Sequence, residues 1–349
     1  MAKQEPKAKA KATRAKNIIT IGSTDVRPGQ NLTINLPISD LYTNTELTMP
    51  IRVVRGKSTG PTMFVSAAVH GDEINGVEII RRLLNLKLLK RLKGTLIAVP
   101  VVNVFGFLSH SRYLPDRRDL NRSFPGSEKG SLTGRLAYLF MNEIVSHCTH
   151  GIDLHTGSNH RTNLPQIRAV LDHPETERLA KAFGAPVILN SDLRDGSIRQ
   201  AVADKDIPML LYEAGEPLRF DEMSIRFGVR GIVSVMRAIK MLPKAKSHHA
   251  PEPLMAKSTT WVRAPHSGLL RVKKSLGARV KKDDLLGRIA HPLGRHEVEV
   301  LATKSGIIIG QVNLPLVNEG DALFHIASLE AAPKNHAALE AFQAGMMDD

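Results

Sequence analysis

The sequence predicts an α/β protein with a mixed, mostly parallel sheet covered by helices, followed by a small all-β barrel or sandwich domain. Two apolar runs, 62–68 and 95–102, are separated by an amphipathic helical pattern. Strands that are apolar throughout are typical of parallel sheets covered on both faces. Beyond residue 258, short alternating strands are separated by glycine turns, which indicates a separate β unit. At 349 residues the chain exceeds the usual size of one hydrophobic core, so two domains are expected.

Composition divides the chain into five parts. They are a disordered basic tail at 1–16, an α/β domain at 17–243, a linker at 244–258, a β domain at 259–330 and a weakly helical tail at 331–349. We assign the β-prone segment 17–56 to the α/β domain, and we also consider that this segment packs against the C-terminal β domain.

The formal charge of +14 and the pI near 9.9 would ordinarily indicate nucleic acid or an anionic surface as a partner. Part of this charge lies in residues 1–16, where six basic residues accompany one acid, as in disordered tails. Four Tyr and one Trp provide few stacking surfaces among the basic residues. Nucleic-acid binding is therefore not expected.

Cysteine content and apolar runs bear on location. Cys148 is the only cysteine, which excludes an internal disulfide framework and indicates a reducing, cytoplasmic compartment. The basic tail lacks the apolar core of a secretory signal. The chain contains no apolar run long enough for a membrane span, so none is expected.

The first apolar strand, 62–68, is followed by a polar turn that carries His70 and Glu73. In open α/β sheets, ligands bind at the carboxyl edge, where such a turn lies. An imidazole and a carboxylate suit Zn²⁺, which takes nitrogen and oxygen ligands. The alternative is an ordinary helix start at 74–89, with acidic residues that complement the helix dipole.

The next elements are a strand at 95–102 and a long segment at 103–126 that is polar and rich in arginine. Loops of this length are usually functional or disordered. A helix is predicted at 131–147, with Ser131 as its N-cap.

A third strand, 151–156, places Asp153 and His155 on the same face. An aspartate at this position is suited to orient the imidazole of a metal-binding histidine. With His70 and Glu73, His155 completes the three protein ligands of a catalytic zinc. A further strand, 209–212, delivers Glu213 to the same edge, where the alternative is a solvated acid at a strand end.

The remaining helices and strands of this domain are shorter, apart from the last helix. We predict a helix at 174–184, a strand at 185–190, a helix at 197–204 and a helix at 224–241.

Four motifs in this order resemble the succinylglutamate desuccinylase/aspartoacylase family of the zinc carboxypeptidase-like fold. They are His70-Gly71-Asp72-Glu73, Asp119-Leu120-Asn121-Arg122-Ser123-Phe124-Pro125-Gly126, Asp153-Leu154-His155-Thr156 and Tyr212-Glu213-Ala214-Gly215. The resemblance covers residues 50–241.

This resemblance implies one Zn²⁺ per chain, with His70, Glu73 and His155 as its ligands. It also implies that Glu213 is the general base and acid. The guanidinium group meets a carboxylate with two parallel hydrogen bonds, so arginine suits a substrate anchor. The positions that match the family's substrate-binding residues are Asn121, Arg122, either Arg112 or Arg118, and Arg199.

The implied function is that of an amidohydrolase that removes the acyl group from an acidic or carboxylate-bearing N-acyl amino acid. A metal-activated water would be the nucleophile. One alternative is a metallocarboxypeptidase that trims the C-terminal residue of a short peptide. An alternative of another class is a non-catalytic module that binds anions or nucleic acid.

The C-terminal part contains an internal repeat that resembles a biotinyl/lipoyl-type domain. Segment 262–270 matches 300–308, and 280–289 matches 317–326. The hairpin at 294–298 lacks the Met-Lys-Met-like attachment site of such domains, so we expect no covalent prosthetic group. We expect this unit to narrow the zinc site or to form a subunit interface in a homo-oligomer. The pair His248-His249, in the Pro-rich linker, is expected to be incidental.

Overall fold

A computed structural model describes residues 18–245, 252–294 and 297–329 of the chain. The predicted tails at 1–16 and 331–349 lie outside the described residues, and so do His248-His249 and residues 295 and 296 of the predicted hairpin. Within the described ranges, no helix is long and apolar enough to cross a membrane.

Strands dominate the described part of the chain. The first ten are β1 Ile19–Ile21, β2 Thr24–Val26, β3 Asn31–Asp40, β4 Glu46–Arg55, β5 Ser58–Ala67, β6 Lys93–Val99, β7 His150–His155, β8 Arg161–Ala169, β9 Val187–Asn190 and β10 Met209–Gly215. The C-terminal strands are β11 Leu254–Arg263, β12 Gly268–Val272, β13 Arg279–Val280, β14 Leu285–Ala290, β15 Glu297–Leu301, β16 Gly306–Val312, β17 Leu316–Val317 and β18 Ala322–Leu329. The α-helices are α1 Asn75–Leu84, α2 Val104–Leu108, α3 Leu132–Glu143, α4 Pro174–Phe183, α5 Ile198–Ala203 and α6 Glu222–Ala238.

A sheet of twelve strands organises the molecule. Its order is β13-β16-β18-β11-β9-β8-β10-β7-β5-β6-β4-β3. Neighbours are parallel from β6 through β5 and β7 to β10, and again from β8 through β9 to β11. The α/β class with a mixed sheet is confirmed, but the parallel pairs are confined to the centre. Hairpin β3–β4 and the strands that follow β11 add antiparallel neighbours at both edges.

Strand β5 shows why its sequence is apolar throughout. Its alternate residues point to opposite faces of the sheet, and Met63 and Val65 pack in one hydrophobic cluster with helices α1, α4 and α6. Phe64 packs in a second cluster, with α3 and α5, where its ring is nearly perpendicular to that of Phe140, at 88°. Helices therefore cover both faces of the central strands, as predicted.

Several helix boundaries differ from the prediction. The helix expected at 74–89 ends at Leu84, where Asn85, a weak helix former, is the C-cap, and a 3₁₀ turn follows at Lys87–Arg91. The helix expected at 131–147 ends at Glu143, but Ser131 is its N-cap as predicted, and its hydroxyl oxygen accepts from the Gly134 N–H. The segment 103–126 contains α2 and a 3₁₀ turn at Leu120–Arg122.

The N-terminal and C-terminal strands lie at opposite edges of the large sheet. Strand β4 pairs with β6, and β3 forms the edge beyond it. The suggestion that segment 17–56 packs against the C-terminal domain is therefore wrong. Most of its buried side chains, among them Ile34, Leu36, Met49, Ile51 and Val53, instead join the cluster around α3.

The predicted linker, 244–258, is too long. Strand β11 begins at Leu254 and pairs in parallel with β9, with Leu254 opposite Val187. Leu254 and Ala256 are buried against Val187 and Leu189, so their apolar contacts extend the sheet into this segment. The C-terminal strands consequently continue the large sheet.

The repeated segments of the C-terminal part contribute matched residues to one hydrophobic cluster. The matched pairs are Val262 with Val300, Ala264 with Ala302, Leu270 with Ile308, Val280 with Val317, Leu286 with Leu323, and Ile289 with Ile326. The four-stranded sheet β15-β14-β12-β17 covers one side of this cluster, and strands of the large sheet cover the other. Each repeat thus supplies half of a common core.

Candidate metal centre and active site

Sheet topology brings three of the predicted site residues to one edge. Strands β5, β7 and β10 are parallel neighbours, so their carboxyl ends meet there. His70 follows β5 and His155 ends β7. Glu213 lies directly opposite His155 in the β7–β10 pair, inside β10 rather than beyond its end.

The carboxylate of Glu73 lies between two imidazoles. Its Oε1 is 2.7 Å from His70 Nδ1, and its Oε2 is 2.8 Å from His155 Nδ1. The backbone N–H of Thr156 donates to Oε2 at 3.1 Å. Candidate ligand atoms of His70, Glu73 and His155 all lie within 4.8 Å of one another, and all three residues are buried. The cluster therefore has the donor set and the compactness of a metal site.

A second carboxylate faces the outer nitrogen of each imidazole. Asp153 Oδ2 is 2.7 Å from His155 Nε2, and Asp119 Oδ1 is 3.1 Å from His70 Nε2. Such contacts fix the ring and leave the other nitrogen free to bind a metal. The structure brings Asp153 to the place expected for it. Asp119 opens the second of the four motifs, and the sequence predicts no role for it because the return of its loop to His70 is a long-range contact.

Burial and neighbouring charges have opposite effects on the pKa values of His155 and Glu73. Burial by itself would lower the pKa of His155, but Asp153 and Glu73 outweigh it and raise this pKa well above its ordinary value. For Glu73, burial acts to raise the pKa, while His70 and His155 hold it well below its ordinary range. The centre therefore keeps an ionised carboxylate in a buried place, which a bound cation would neutralise. Two imidazoles and one carboxylate are ligands typical of a catalytic zinc site.

Glu213 is anchored through one carboxylate oxygen. Its Oε2 accepts from Asn163 Nδ2 at 2.5 Å and lies 3.3 Å from Arg168 Nη2. Both partners lie on β8, the antiparallel neighbour of β10. Glu213 lines the same cavity as His70, Glu73 and His155.

This cavity has a volume of about 420 Å³ and a strongly cationic wall. Seven arginines line it, namely Arg112, Arg122, Arg161, Arg168, Arg194, Arg199 and Arg263. In the part of the chain that the structure describes, the acids on its wall are Glu73 and Glu213. An excess of one sign of charge in a cleft attracts ligands of the opposite sign.

The two alternatives for one arginine position differ in placement. Arg112 lines the cavity, and its guanidinium donates to Asp119 Oδ2 at 2.9 and 3.2 Å and to Glu73 Oε1 at 3.2 Å. Burial by itself would lower the pKa of Arg112, but Glu73 and Asp119 raise it. Arg118 is exposed and is absent from the wall that the described residues form, so the structure does not support a contact between Arg118 and a ligand there.

The other predicted anchors all line the cavity. Asn121 is buried, and its Oδ1 accepts from the Ile198 N–H at 2.9 Å, so its amide nitrogen is the group available to a ligand. Arg122 is exposed at the wall, and its Nη1 donates to the Asn121 carbonyl at 2.5 Å. Both residues belong to the 3₁₀ turn inside the segment 103–126.

Arg199 is buried among neutral oxygens. Its guanidinium donates to the Ser191 carbonyl at 3.1 Å, the Ser191 hydroxyl at 3.3 Å and the Asp192 carbonyl at 2.9 Å. Burial, with a smaller effect from Arg168, lowers the pKa of Arg199 to about 10. The group remains charged at neutral pH, and its charge is available to an anionic ligand.

Sequence reasoning missed one side of the wall. Arg161, Asn163 and Arg168 reach the cavity because β8 pairs with β10 and β16, a long-range arrangement without a local sequence signal. Trp261 and Arg263 come from β11, so the C-terminal part contributes to the cavity. The guanidinium of Arg161 lies 5.4 Å above the Trp261 ring.

Comparison with known proteins gives one consistent picture. A family model described as the succinylglutamate desuccinylase/aspartoacylase catalytic domain matches residues 59–239. The N-alpha-acetyl-L-2,4-diaminobutyric acid deacetylase of Halomonas elongata is 28% identical over 311 residues, which cover 85% of this chain and 90% of that protein.

Solved structures agree with this similarity. A succinylglutamate desuccinylase/aspartoacylase from Rhodobacter sphaeroides superposes with a TM-score of 0.78 at 25% identity, and the match covers 90% of this chain and 99% of that chain. The product-bound ectoine utilization protein from Ruegeria pomeroyi gives a TM-score of 0.79 at 26% identity, with 89% of this chain and 99% of that chain covered.

Proposed function

Because this chain belongs to the succinylglutamate desuccinylase/aspartoacylase family, we propose that it is a zinc-dependent amidohydrolase that removes the acyl group from a carboxylate-bearing N-acyl amino acid. The observation that carries the proposal is the buried cluster His70, Glu73 and His155, with Glu213 on the same cavity wall. These three residues would hold one Zn²⁺ per chain.

The proposed reaction divides the work between the metal and the side chains. The chemistry that Zn²⁺ supplies when bound is the activation of water and the polarisation of the scissile carbonyl. Asp119 and Asp153 keep the two imidazoles oriented from their outer nitrogens. Glu213 takes a proton from the attacking water and returns it to the amine nitrogen as the C–N bond breaks.

The arginine wall supports an anionic substrate. The Halomonas relative is named for a diaminobutyric acid derivative, whose amino side chain would be expected to pair with an acid. Here the acids among the described wall residues are Glu73 and Glu213. In the proposed reaction Glu73 binds the metal and Glu213 transfers the proton, so neither is left to pair with a substrate amino group. We therefore propose an acidic amino acid as the released product, with Asn121, Arg122 and Arg199 as its anchors and Arg112 as a bridge to the metal ligands.

Cavity size bears on the carboxypeptidase alternative. A volume of about 420 Å³ is that of a small-molecule site. This favours an N-acyl amino acid over a longer peptide as the substrate. Short peptides that end in Glu or Asp belong in the same activity screen.

The proposal is tested by metal analysis and a screen of N-acetyl and N-succinyl amino acids, with and without a chelator. We expect about one zinc per chain and chelator-sensitive amine release. In Glu213→Gln, kcat should fall on the order of 10²- to 10⁴-fold with zinc retained, because the amide cannot accept a proton. Glu216→Gln is the matched control, because Glu216 is absent from the described cavity lining and its Oε1 lies 3.0 Å from Arg219 Nε. Full activity in Glu213→Gln would remove Glu213 as the base.

A further inference from the structure

Asn163 forms the shorter of the two contacts that anchor Glu213. Its Nδ2 donates to Glu213 Oε2 at 2.5 Å, whereas Arg168 Nη2 is 3.3 Å from the same oxygen. Across residues 18–245, 252–294 and 297–329, no group donates to Glu213 Oε1. A carboxylate that is fixed through Oε2 keeps Oε1 available for proton transfer.

The orientation of the Asn163 amide follows from chemistry. An ionised carboxylate only accepts hydrogen bonds, so the NH₂ group of Asn163 must face Glu213 and its Oδ1 must face away. On that other side lies Gly310, directly opposite Asn163 in the β8–β16 pair. A β-carbon built on Gly310 would lie 2.9 Å from Asn163 Oδ1, which is too close for an ordinary contact. The amide oxygen of Asn163 therefore occupies space beside Gly310 that a side chain at that position would fill.

Two stacked rings, those of His325 and Trp261, follow Gly310 across the sheet. His325 lies opposite Gly310 on β18, and Trp261 lies opposite His325 on β11. The two rings are parallel within 4°, with centroids 4.3 Å apart. A β-carbon on Gly310 would also lie 3.1 Å from His325 Cβ. Burial, together with Arg168, lowers the pKa of His325 to about 3, so its ring is uncharged at neutral pH.

We propose that Asn163 is a positioning residue that holds the Glu213 carboxylate in the orientation needed for proton transfer, and that the C-terminal strands fix Asn163 through Gly310. The inference rests on the proposed function, since it concerns the base of that reaction. It gives the C-terminal part a role in catalysis beyond the cavity wall. The residues of this row, Asn163, Gly310, His325 and Trp261, lie side by side on β8, β16, β18 and β11.

The test replaces Asn163 by Leu, which has a similar size and no donor. We expect kcat to fall on the order of 10- to 100-fold, as for a misplaced catalytic group, with KM and zinc content unchanged. Gly310→Ala should lower kcat in the same way by a smaller factor, because its methyl group displaces the amide. Asn313→Leu is the control. Asn313 directly follows β16 and is absent from the described cavity lining, and its Nδ2 donates to Thr162 Oγ1 at 2.6 Å and to Glu216 Oε2, so kcat should stay unchanged.

Crystal structures of the unaltered protein and of Asn163→Leu provide a readout that does not need turnover. We expect the Glu213 carboxylate to rotate away from its present position in the variant. If the Glu213 carboxylate does not move, or if KM rises while kcat stays unchanged, the positioning role is overturned. If the unaltered protein cleaves no amide and the carboxylate still moves, the proposed function fails and the positioning contact stands.

Folding of the variant needs a safeguard, because Asn163 is buried. Thermal unfolding of Asn163→Leu and Asn313→Leu is compared first. If Asn163→Leu does not fold, Asn163→Ala removes the donor without adding a larger apolar side chain or a second carboxyl group beside Glu213. The same loss of kcat and the same movement of Glu213 are expected there, and their absence would overturn the proposal.

Discussion

Two regions of the cavity differ in how their charges are matched: the His70-Glu73-His155 cluster, which we call the metal end after the ion proposed for it, and the arginine wall. At the metal end, both nitrogens of His70 and of His155 face carboxylate oxygens. On the wall, Arg199 is held by neutral oxygens, and Arg168 Nε is buried without a hydrogen-bond partner among the described residues. At the metal end the protein supplies a carboxylate oxygen for each imidazole nitrogen, while on the wall the charge of Arg199 is left for a ligand to match.

The largest expected effect concerns a ligand of the metal end. His155→Ala removes one of the three proposed ligands, so zinc content should fall well below one per chain. Activity should fall about 10³-fold or more, since Lewis-acid stabilisation is worth several kcal/mol. His150→Ala is the control, because His150 begins the same strand and contacts Glu175 instead. Full zinc occupancy in His155→Ala would remove His155 from the ligand set.

A smaller effect is expected from the outer carboxylates. Asp119→Asn keeps the shape of the side chain but removes the charge that faces His70. Zinc affinity, measured by competition with a chromophoric chelator, should fall about 10- to 100-fold. Asp116→Asn is the control from the same loop, since Asp116 accepts from Thr133 instead. Equal affinities in the two variants would show that Asp119 does not support the metal end.

The smallest of these effects belongs to the wall. Arg199→Lys keeps the charge but loses the planar fork that reaches Ser191 and Asp192 together. We expect KM for the substrate to rise about tenfold, which corresponds to about 1.4 kcal/mol, with kcat and zinc content unchanged. Arg118→Lys, outside the cavity, is the control. A fall in zinc content in Arg199→Lys would contradict the separation of the two ends.

The same contrast explains what the sequence could predict. His70, Glu73 and His155 follow or end strongly apolar strands, and their combination at one edge of the sheet predicts a metal site. Arginines are common on surfaces, so Arg161, Arg168 and Arg263 carry no such signal. Arg161 and Arg168 reach the cavity through the pairing of β8 with β10 and β16, and Arg263 reaches it from β11. Arg112 precedes Tyr113, as in the family's dipeptide, whereas Arg118 lies closer to the Asn121-Arg122 pair, and only the fold separates the two arginines.

Fold prediction has a similar limit. Period-two and continuous apolar patterns identify β5, β6 and β7, but they do not give the partner of an edge strand. The segment that starts at Leu254 therefore resembled the end of a linker, although its alternate residues are buried against Val187 and Leu189. In the same way, no local pattern distinguishes a C-terminal domain that stands apart from one that continues the sheet.

The parallel pair β9–β11 has a consequence for synthesis of the chain. Until Leu254–Arg263 has left the ribosome, Val187–Asn190 has an open edge beside the apolar side chains Leu164, Val187 and Leu189. Open apolar edges are templates for pairing with other chains, and partly folded intermediates expose them most. The C-terminal strands thus close the aggregation-prone edge of the catalytic domain, and a shorter chain that ends near residue 243 would carry that edge permanently.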